Sequence, residues 1–291
     1  MSQVGFETAW LNERFKYDNA ARNKSVEQSF LDHFGGEKEI KIVDIGSGTG
    51  ANCLYFLEKL TQNQKWFLVE KDVRFFDPTI ERLTSHASKN GYEIEVKGAH
   101  LKIQTPSKTI EIHIINDSFF NLPKLLNLQE INAVMAAAVF DLLSEKQFRD
   151  FVSTVFENKT ALLATMNYSG MHFLPSTSLD NHFVNIYENH MMRQQDFGKG
   201  MGKNVASVLS NHFSTSGYDF ISGESNWELD YFANKMHAFL LDFMDDSISE
   251  LLTENNEKLK FKDWLSKKRS LSENKKLSIE VRHFDFFVKP A

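Results

Sequence analysis

Three glycines alternate with small polar residues in Gly46-Ser47-Gly48-Thr49-Gly50, directly after an apolar stretch that carries a single acid, Asp44. Glycine has no Cβ, so a backbone of this kind can approach a ligand closely and take positive φ. A helix that opens just behind such a turn presents free N–H groups to the same ligand. Two classes of cofactor use this geometry. Gly46-x-Gly48-x-x-Ala51 satisfies the dinucleotide pattern, in which the turn holds a pyrophosphate. Glu70 lies 20 residues past Gly50, where an acid grips ribose hydroxyls in either class. Asp44 separates them. A carboxylate two residues before the first glycine is badly placed beside a pyrophosphate and well placed for a cation. A turn that bound nothing would leave Asp44, Glu70 and Asp117 idle together.

S-adenosylmethionine (SAM) is such a cation, with a sulfonium, an ammonium and no phosphate. The run Val43-Asp-Ile-Gly-Ser-Gly-Thr-Gly50 resembles motif I of the class I SAM-dependent methyltransferases. Leu68-Val-Glu70 is similar to their second motif, and Asn116-Asp117-Ser118 stands in the place of the adenine-contacting acid. The resemblance is good over residues 41–168. It implies a Rossmann-like α/β fold: a mostly parallel, seven-stranded sheet with helices on both faces, N-terminal helices and a helical cap insertion. It also implies a SAM site. Asp44, Gly46, Ser47, Gly48 and Asn52 would line the methionine part, Glu70 with Lys71 the ribose, and Asp117 with Ser118 the adenine. Ala137, after the fourth strand of the alternating pattern, would lie near the methyl group. Trp10-Leu-x-x-Arg14, His190-x-x-Arg193-x-x-Asp196-Phe-Gly198 with Gly202, Trp264-Leu-x-x-x-x-Arg269 and His283-x-Asp285 resemble an uncharacterised bacterial subgroup of the same family.

Methyl transfer is in-line displacement at an already activated carbon, so positioning and exclusion of water matter more than a reactive side chain. A base helps when the acceptor is a hydroxyl or a cationic amine. Asp141 closes the segment after Ala137 and reads either as that base or as a helix cap. The segment is not the Asn/Asp-Pro-Pro-aromatic motif of enzymes that methylate nucleobases or glutamine. His190 and Arg193 stand one turn apart on an expected helix. Facing the cleft they supply a base and an anion clamp; facing water they are a polar surface. His182 shares roughly that face, and none of these residues has zinc-ligand spacing. Arg14 and Arg22 read as a substrate-binding lid over SAM or as surface charge. His283 and Asp285 read as a structural pair on the last strand.

The elements that must position these residues follow from periodicity. Residues 6–34 have helical spacing; strands are expected at 39–45, 66–69, 131–137 and 160–166, with helices at 50–60, 74–89 and from the capping box Ser144-x-x-Gln147. Residues 92–104 and 109–115 alternate as one hairpin turning at Pro106-Ser107. Helices at 180–192, 205–213, 229–252 and 257–269 follow, with strands at 218–222 and 277–289. Gly198, Gly200 and Gly202 punctuate a loop that reads as the hinge of a lid. One domain is expected over 1–291: an N-terminal helical segment (1–38), a SAM-binding core (39–168), helical additions (169–215 and 227–272) and a final strand (277–291).

Net charge is −6, and the one dense basic stretch, residues 258–276, is interleaved with acids. No nucleic-acid partner is therefore expected. The longest apolar run, residues 133–140, is far short of a bilayer span. A single cysteine, Cys53, and an N-terminus without a signal pattern lead us to expect a cytoplasmic protein. The expected activity is methylation of an oxygen or nitrogen on a small-molecule acceptor, in a chain that can form a homodimer. An RNA or protein acceptor, or SAM binding without catalysis, are the alternatives.

Overall fold

The computed structural model describes residues 8–195 and 198–289. Two helices come first, α1 (Thr8–Ala21) and α2 (Lys24–His33). They are separate because Asn23 caps α2, its side chain accepting from the Ser25 and Val26 N–H groups. Residues 6 and 7 of the expected N-terminal helix lie outside the described residues. The alternating region then runs β1 (Glu39–Ile45), α3 (Ala51–Leu57), β2 (Asn63–Val69), α4 (Phe76–Lys89), β3 (Glu93–Lys97), β4 (His100–Gln104), β5 (Thr109–Ile115), α5 (Leu122–Leu125), β6 (Ala133–Ala137), α6 (Glu145–Glu157) and β7 (Ala161–Leu174). The Ser144–Gln147 capping box that opens α6 is present in both directions.

The second half runs α7 (Asp180–Met191), β8 (Gln194–Gln195), β9 (Gly198–Lys199), α8 (Val205–Ser216), β10 (Asp219–Glu224), β11 (Trp227–Leu229), α9 (Asn234–Leu251), α10 (Asn255–Glu273) and β12 (Ser278–Lys289). The main sheet has ten strands, ordered β10-β12-β7-β6-β1-β2-β5-β4-β3, with β11 pairing alongside β12. This corrects the expected seven. One extra strand arises because residues 93–104 fold back at Gly98 (φ +58°) into β3 and β4, where one strand was expected. Another arises because residues 227–229 pair with Val281, Glu280 and Ile279, where a helix was expected from residue 229.

β1 runs parallel to both β2 and β6, and β6 parallel to β7, while β12 is antiparallel to β7. Near-continuous apolar strands such as Ala133–Ala137 suit this sheet, because helices cover both faces. One core cluster, with Val43, Val134, Phe148 and Phe213, lies on one face, and another, with Ile42, Trp66, Leu83 and Phe56, on the other. A third cluster joins α1, α7, α9 and α10 to the extended ends of β7 and β12, through Trp10, Phe183, Trp264 and Met236. Of the expected helical additions, α7, α9 and α10 belong to this cluster, whereas α8 packs in the first through Val205, Leu209 and Phe213. β1 is the strand from which the order departs in both directions. Ligands bind beyond the carboxyl ends of strands at such a point.

Candidate functional site

Asp44 is buried in β1, 1% exposed, between Leu68 and Met135 on the flanking strands. Its Oδ1 accepts from Asn52 Nδ2 at 3.0 Å, and its Oδ2 has no partner among the described residues. Burial pushes the carboxyl up to about 7, against the Asn52 hydrogen bond and the nearby Arg22 charge, with Glu70 adding to the rise. Asn52 Oδ1 accepts in turn from Arg22 Nη2 at 2.7 Å. Arg22 is buried, its guanidinium 4.3 Å from the Tyr55 ring centroid. A chain of three polar side chains therefore runs from the N-terminal segment to the floor under the glycine turn.

The turn itself takes left-handed φ at Gly46 (+58°) and Gly48 (+52°). A Cβ on Gly46 would stand 2.9 Å from Val139 Cγ2, and one on Gly48 3.2 Å from Leu11 Cδ1. Helix α1 thus lies over the turn. Ser47 is buried, and its N–H donates to the Val69 carbonyl at 3.3 Å. Glu70 holds the turn from the side: Oε2 accepts from the Gly48 N–H at 2.9 Å and Oε1 from the Asp72 N–H at 2.8 Å. Asn116 Nδ2 bridges the Glu70 and Lys71 carbonyls, tying the loop after β5 to the loop after β2. Asp117 Oδ1 accepts from the Ser118 N–H and Asn121 Nδ2, and these bonds hold its carboxyl below the ordinary value. A cavity lined by Gly48, Glu70, Phe75, Thr79 and Asn116 among others measures about 10 Å³, the room of about one water. Asp44, Gly46, Ser47, Gly48, Glu70, Lys71, Asp117, Ser118 and Ala137 therefore come from the ends of β1, β2, β5 and β6 or the loops just after them, along one edge of the sheet, and Asn52 comes from the first turn of α3.

Beyond β6, Ala138 sits at φ +55° and donates its N–H to the Thr165 carbonyl. A non-glycine residue in that region is costly and is held by its surroundings. The backbone then turns through residues 140–142, and Asp141 is buried with Oδ1 unpartnered among the described residues. Burial pushes its carboxyl up to about 6, opposed by backbone N–H donors and by the Arg14 charge. Burial raises two phenols nearby, Tyr187 to about 12 and Tyr168 well above its ordinary value, and the Asp141 charge adds to both. Tyr168 Oη donates to Glu188 Oε1 at 3.2 Å, and Glu188 pairs with Lys203 at 2.6 Å.

Arg14 stands over two indoles, 5.0 Å from the Trp227 centroid and 5.7 Å from that of Trp10, and pairs in bidentate fashion with Asp18. Trp227 Nε1 donates to the same Asp18 at 3.1 Å. His283 lies 4.8 Å from the Trp227 ring, and burial and the Arg14 charge hold it down to about 3, so its ring is neutral. Arg14 and Asp141 thus belong to one group, in which Arg14 contacts Trp10 and Trp227 and Asp141 interacts by charge with Arg14, Tyr168 and Tyr187. Sequence reasoning missed those neighbours, apart from Trp10 in its motif. No periodicity links residues 10, 168, 187 and 227; only their elements bring them together.

His190 and Arg193 fall elsewhere. His190 Nε2 bonds Glu250 Oε2 at 3.0 Å, and Arg193 Nη1 pairs with the same oxygen at 2.6 Å, joining α7 to α9. The structure does not bring them into the group around Asp141. His182 likewise pairs with Glu257. Asp196 lies outside the described residues. Asp285 is a structural acid: Met166 N–H, Asn23 N–H and Ser225 Oγ all donate to it. Gly200 packs under the Asp141 turn. Its Cβ would meet the Met191, Asp141 and Leu142 carbonyls at 3.0, 3.1 and 3.4 Å, so the expected hinge is a close backbone contact there.

No protein-family model and no curated protein sequence matches the chain. Among solved structures, a cyclopropane-fatty-acyl-phospholipid synthase-like protein from Lactobacillus casei matches with a TM-score of 0.54 at 10% identity, covering 96% of this chain and 99% of that one. A SAM-dependent methyltransferase from Thiobacillus denitrificans, solved with S-adenosyl-L-homocysteine, has a TM-score of 0.47 at 8% identity, covering 98% and 100%. The cyclopropane synthase MmaA2 from Mycobacterium tuberculosis has a TM-score of 0.44 at 10% identity, covering 94% of each chain. The first of these likenesses shows the fold, which is the Rossmann-like α/β fold expected from the sequence.

Proposed function

We propose that this protein binds SAM along the edge formed by Asp44, Glu70 and Asp117 and transfers its methyl group to an oxygen or nitrogen of a small molecule seated beside Asp141. The observation that carries the reading is Asp44. A buried carboxylate with one oxygen unpartnered among the described residues, beside a glycine turn, is complementary to a compact cation. Asp44 faces the ammonium end, Gly46 and Gly48 lend backbone, and Glu70 accepts from ribose hydroxyls with the lone pairs its own bonds to Gly48 and Asp72 leave over. The SAM sulfonium supplies an activated methyl carbon.

The chain's own residues do the rest. The buried side chains of Trp10, Trp227 and Tyr168 exclude water and orient the acceptor. Asp141, raised to about 6, is poised to take a proton from the acceptor near neutral pH, where a base works best. A buried group of aromatic side chains suits a small molecule better than a polymer. Cytoplasmic location and a homodimer remain part of the reading drawn from composition.

Calorimetry with SAM, S-adenosylhomocysteine and NAD in parallel tests the cofactor. Binding of the first two and not of NAD is expected. Binding of NAD alone, or of none of the three, overturns the reading. Methyl-labelled SAM incubated with a fractionated small-molecule extract then locates the acceptor.

A further inference from the structure

The strands added at the sheet edge carry a group of side chains that the SAM site does not use. His100 on β4 stands directly opposite His113 on β5. Glu111 precedes His113 by two residues, and a strand's period of two puts both on one face. The neighbouring pair, Ile114 and Ala99, makes a ladder hydrogen bond of 2.8 Å. His100 and His113 are therefore a non-hydrogen-bonded pair, the kind whose side chains come closest. Their imidazoles stack with centroids 4.5 Å apart and planes 21° apart, and Phe67 stacks on His113 at 5.3 Å. One ring nitrogen of each histidine and one carboxylate oxygen of Glu111 lie within 4.8 Å of one another. The Nε2 atoms of both rings are buried and have no hydrogen-bond partner among the described residues. Buried polar atoms are bonded as a rule, so two adjacent exceptions call for a ligand.

We propose that His100, His113 and Glu111 form a binding site for a divalent transition-metal ion of the Zn²⁺ class. Two imidazoles and one carboxylate are a donor set for zinc, nickel or copper, and a poor one for magnesium or calcium. Metal–ligand bonds of about 2.0–2.2 Å require donor atoms roughly 3.3 Å apart in a tetrahedron. The strand register already places the three Cα atoms, so rotation of the side chains closes the difference. The rings leave their stack to aim at the ion. Three protein donors leave a fourth position for water. Lys65 is the competing cation: its Nζ is 3.8 Å from Glu111 Oε2, longer than a hydrogen bond, and 5.8 Å from the Phe67 ring centroid, on a side chain one-third exposed. A bound ion ties β4 to β5 across the edge hairpin, and does so whether or not the chain transfers a methyl group.

The test is titration of the full-length, EDTA-stripped protein with zinc sulfate, by calorimetry and by competition with a chromophoric chelator. One Zn²⁺ per chain is expected, with no response to Mg²⁺ or Ca²⁺. His100→Ala and His113→Ala each weaken binding by more than about 100-fold, since even outer partners of metal ligands contribute 10–100-fold. Glu111→Gln weakens it less, and Lys65→Met strengthens it. Zinc raises the Tm of the native chain and leaves that of the histidine variants unchanged. Should a histidine-to-alanine variant fail to fold, His100→Gln and His113→Gln replace it, because glutamine keeps a polar side chain of similar reach on the sheet face. Absence of one-to-one binding to the native chain overturns the site. So does Zn²⁺ affinity that is the same in the folded histidine variants.

Discussion

Asp44 offers a prediction in which stability and binding move in opposite directions. Its carboxyl is buried, and burial pushes it up to about 7. The ordinary value, near 4, applies to the unfolded chain. Between about pH 4 and pH 7 the folded chain holds the Asp44 proton and the unfolded chain does not, so this residue's contribution to stability falls as pH rises through that window. Holding the carboxylate ionised in the folded chain costs about 4 kcal/mol at pH 8, the difference between the two values at about 1.4 kcal/mol for each pH unit. Asp44→Asn removes that cost, and its Oδ1 still accepts from Asn52. Its new NH₂ takes the place of the unpartnered Oδ2, where an unsatisfied buried donor costs about 1–3 kcal/mol. The variant is therefore stabilised by about 1–3 kcal/mol at pH 8, or roughly 2–5 °C in Tm for a chain of this size.

Binding runs the other way. A cationic ligand selects the ionised carboxylate, so the native protein releases a proton on binding SAM below about pH 7, and its affinity climbs up to tenfold for each pH unit before levelling off. Asp44→Asn loses a charge-assisted contact worth about 1.5–3 kcal/mol, or roughly 10–100-fold in affinity at pH 8. It shows no comparable pH dependence, so the two proteins converge in affinity towards pH 6. Calorimetry in buffers of different ionisation enthalpy counts the released protons, and thermal unfolding at matched pH reads stability. Native affinity that is flat between about pH 6 and 8 with no proton release refutes the argument, as does an asparagine variant destabilised at pH 8.

Glu70→Ala should weaken SAM by one to two decades, about 1.5–3 kcal/mol at ~1.4 kcal/mol per decade, and free the Gly48 and Asp72 N–H groups; hydrogen exchange at those two amides checks the second effect. Asp141→Asn should leave SAM affinity intact and cut methyl transfer by about 10²-fold or more once an acceptor is in hand; an unchanged rate removes the base role. His190→Ala should change neither SAM affinity nor transfer, since its imidazole is engaged with Glu250 between α7 and α9; a large loss of transfer, with SAM affinity unchanged, would return His190 to the acceptor site.

The cofactor edge was legible in the amino-acid sequence because its signals are local. A glycine turn after an apolar strand has few conformations, and Asp44, Glu70 and Asp117 each fall at the end of a strand whose periodicity is plain. The number of strands was less legible. Gly98 turns β3 back on β4 within a stretch that alternates throughout, so a hairpin and a single long strand share one pattern. Trp227 to Leu229 pair with β12 although the apolar spacing there continues smoothly into α9.

The surroundings of Asp141 were hardly legible at all. His190 and Arg193 share a helix face, and periodicity says which residues share a face but not what that face meets; here it meets Glu250. Arg14 had the same two readings, lid or surface charge, and the outcome rests on Asp18 and two indoles, one of them 217 positions along the chain from the other. Asp141 was found as a residue, yet what raises its carboxyl is the exclusion of water by the surrounding segments. By itself, then, the sequence determined the alternating sheet, the glycine turn and the acids beside it, because backbone preference and hydrophobic period act over a few residues. Only the tertiary structure decided which side chains lose contact with water together, because desolvation depends on every element packed around a group and no local pattern records it.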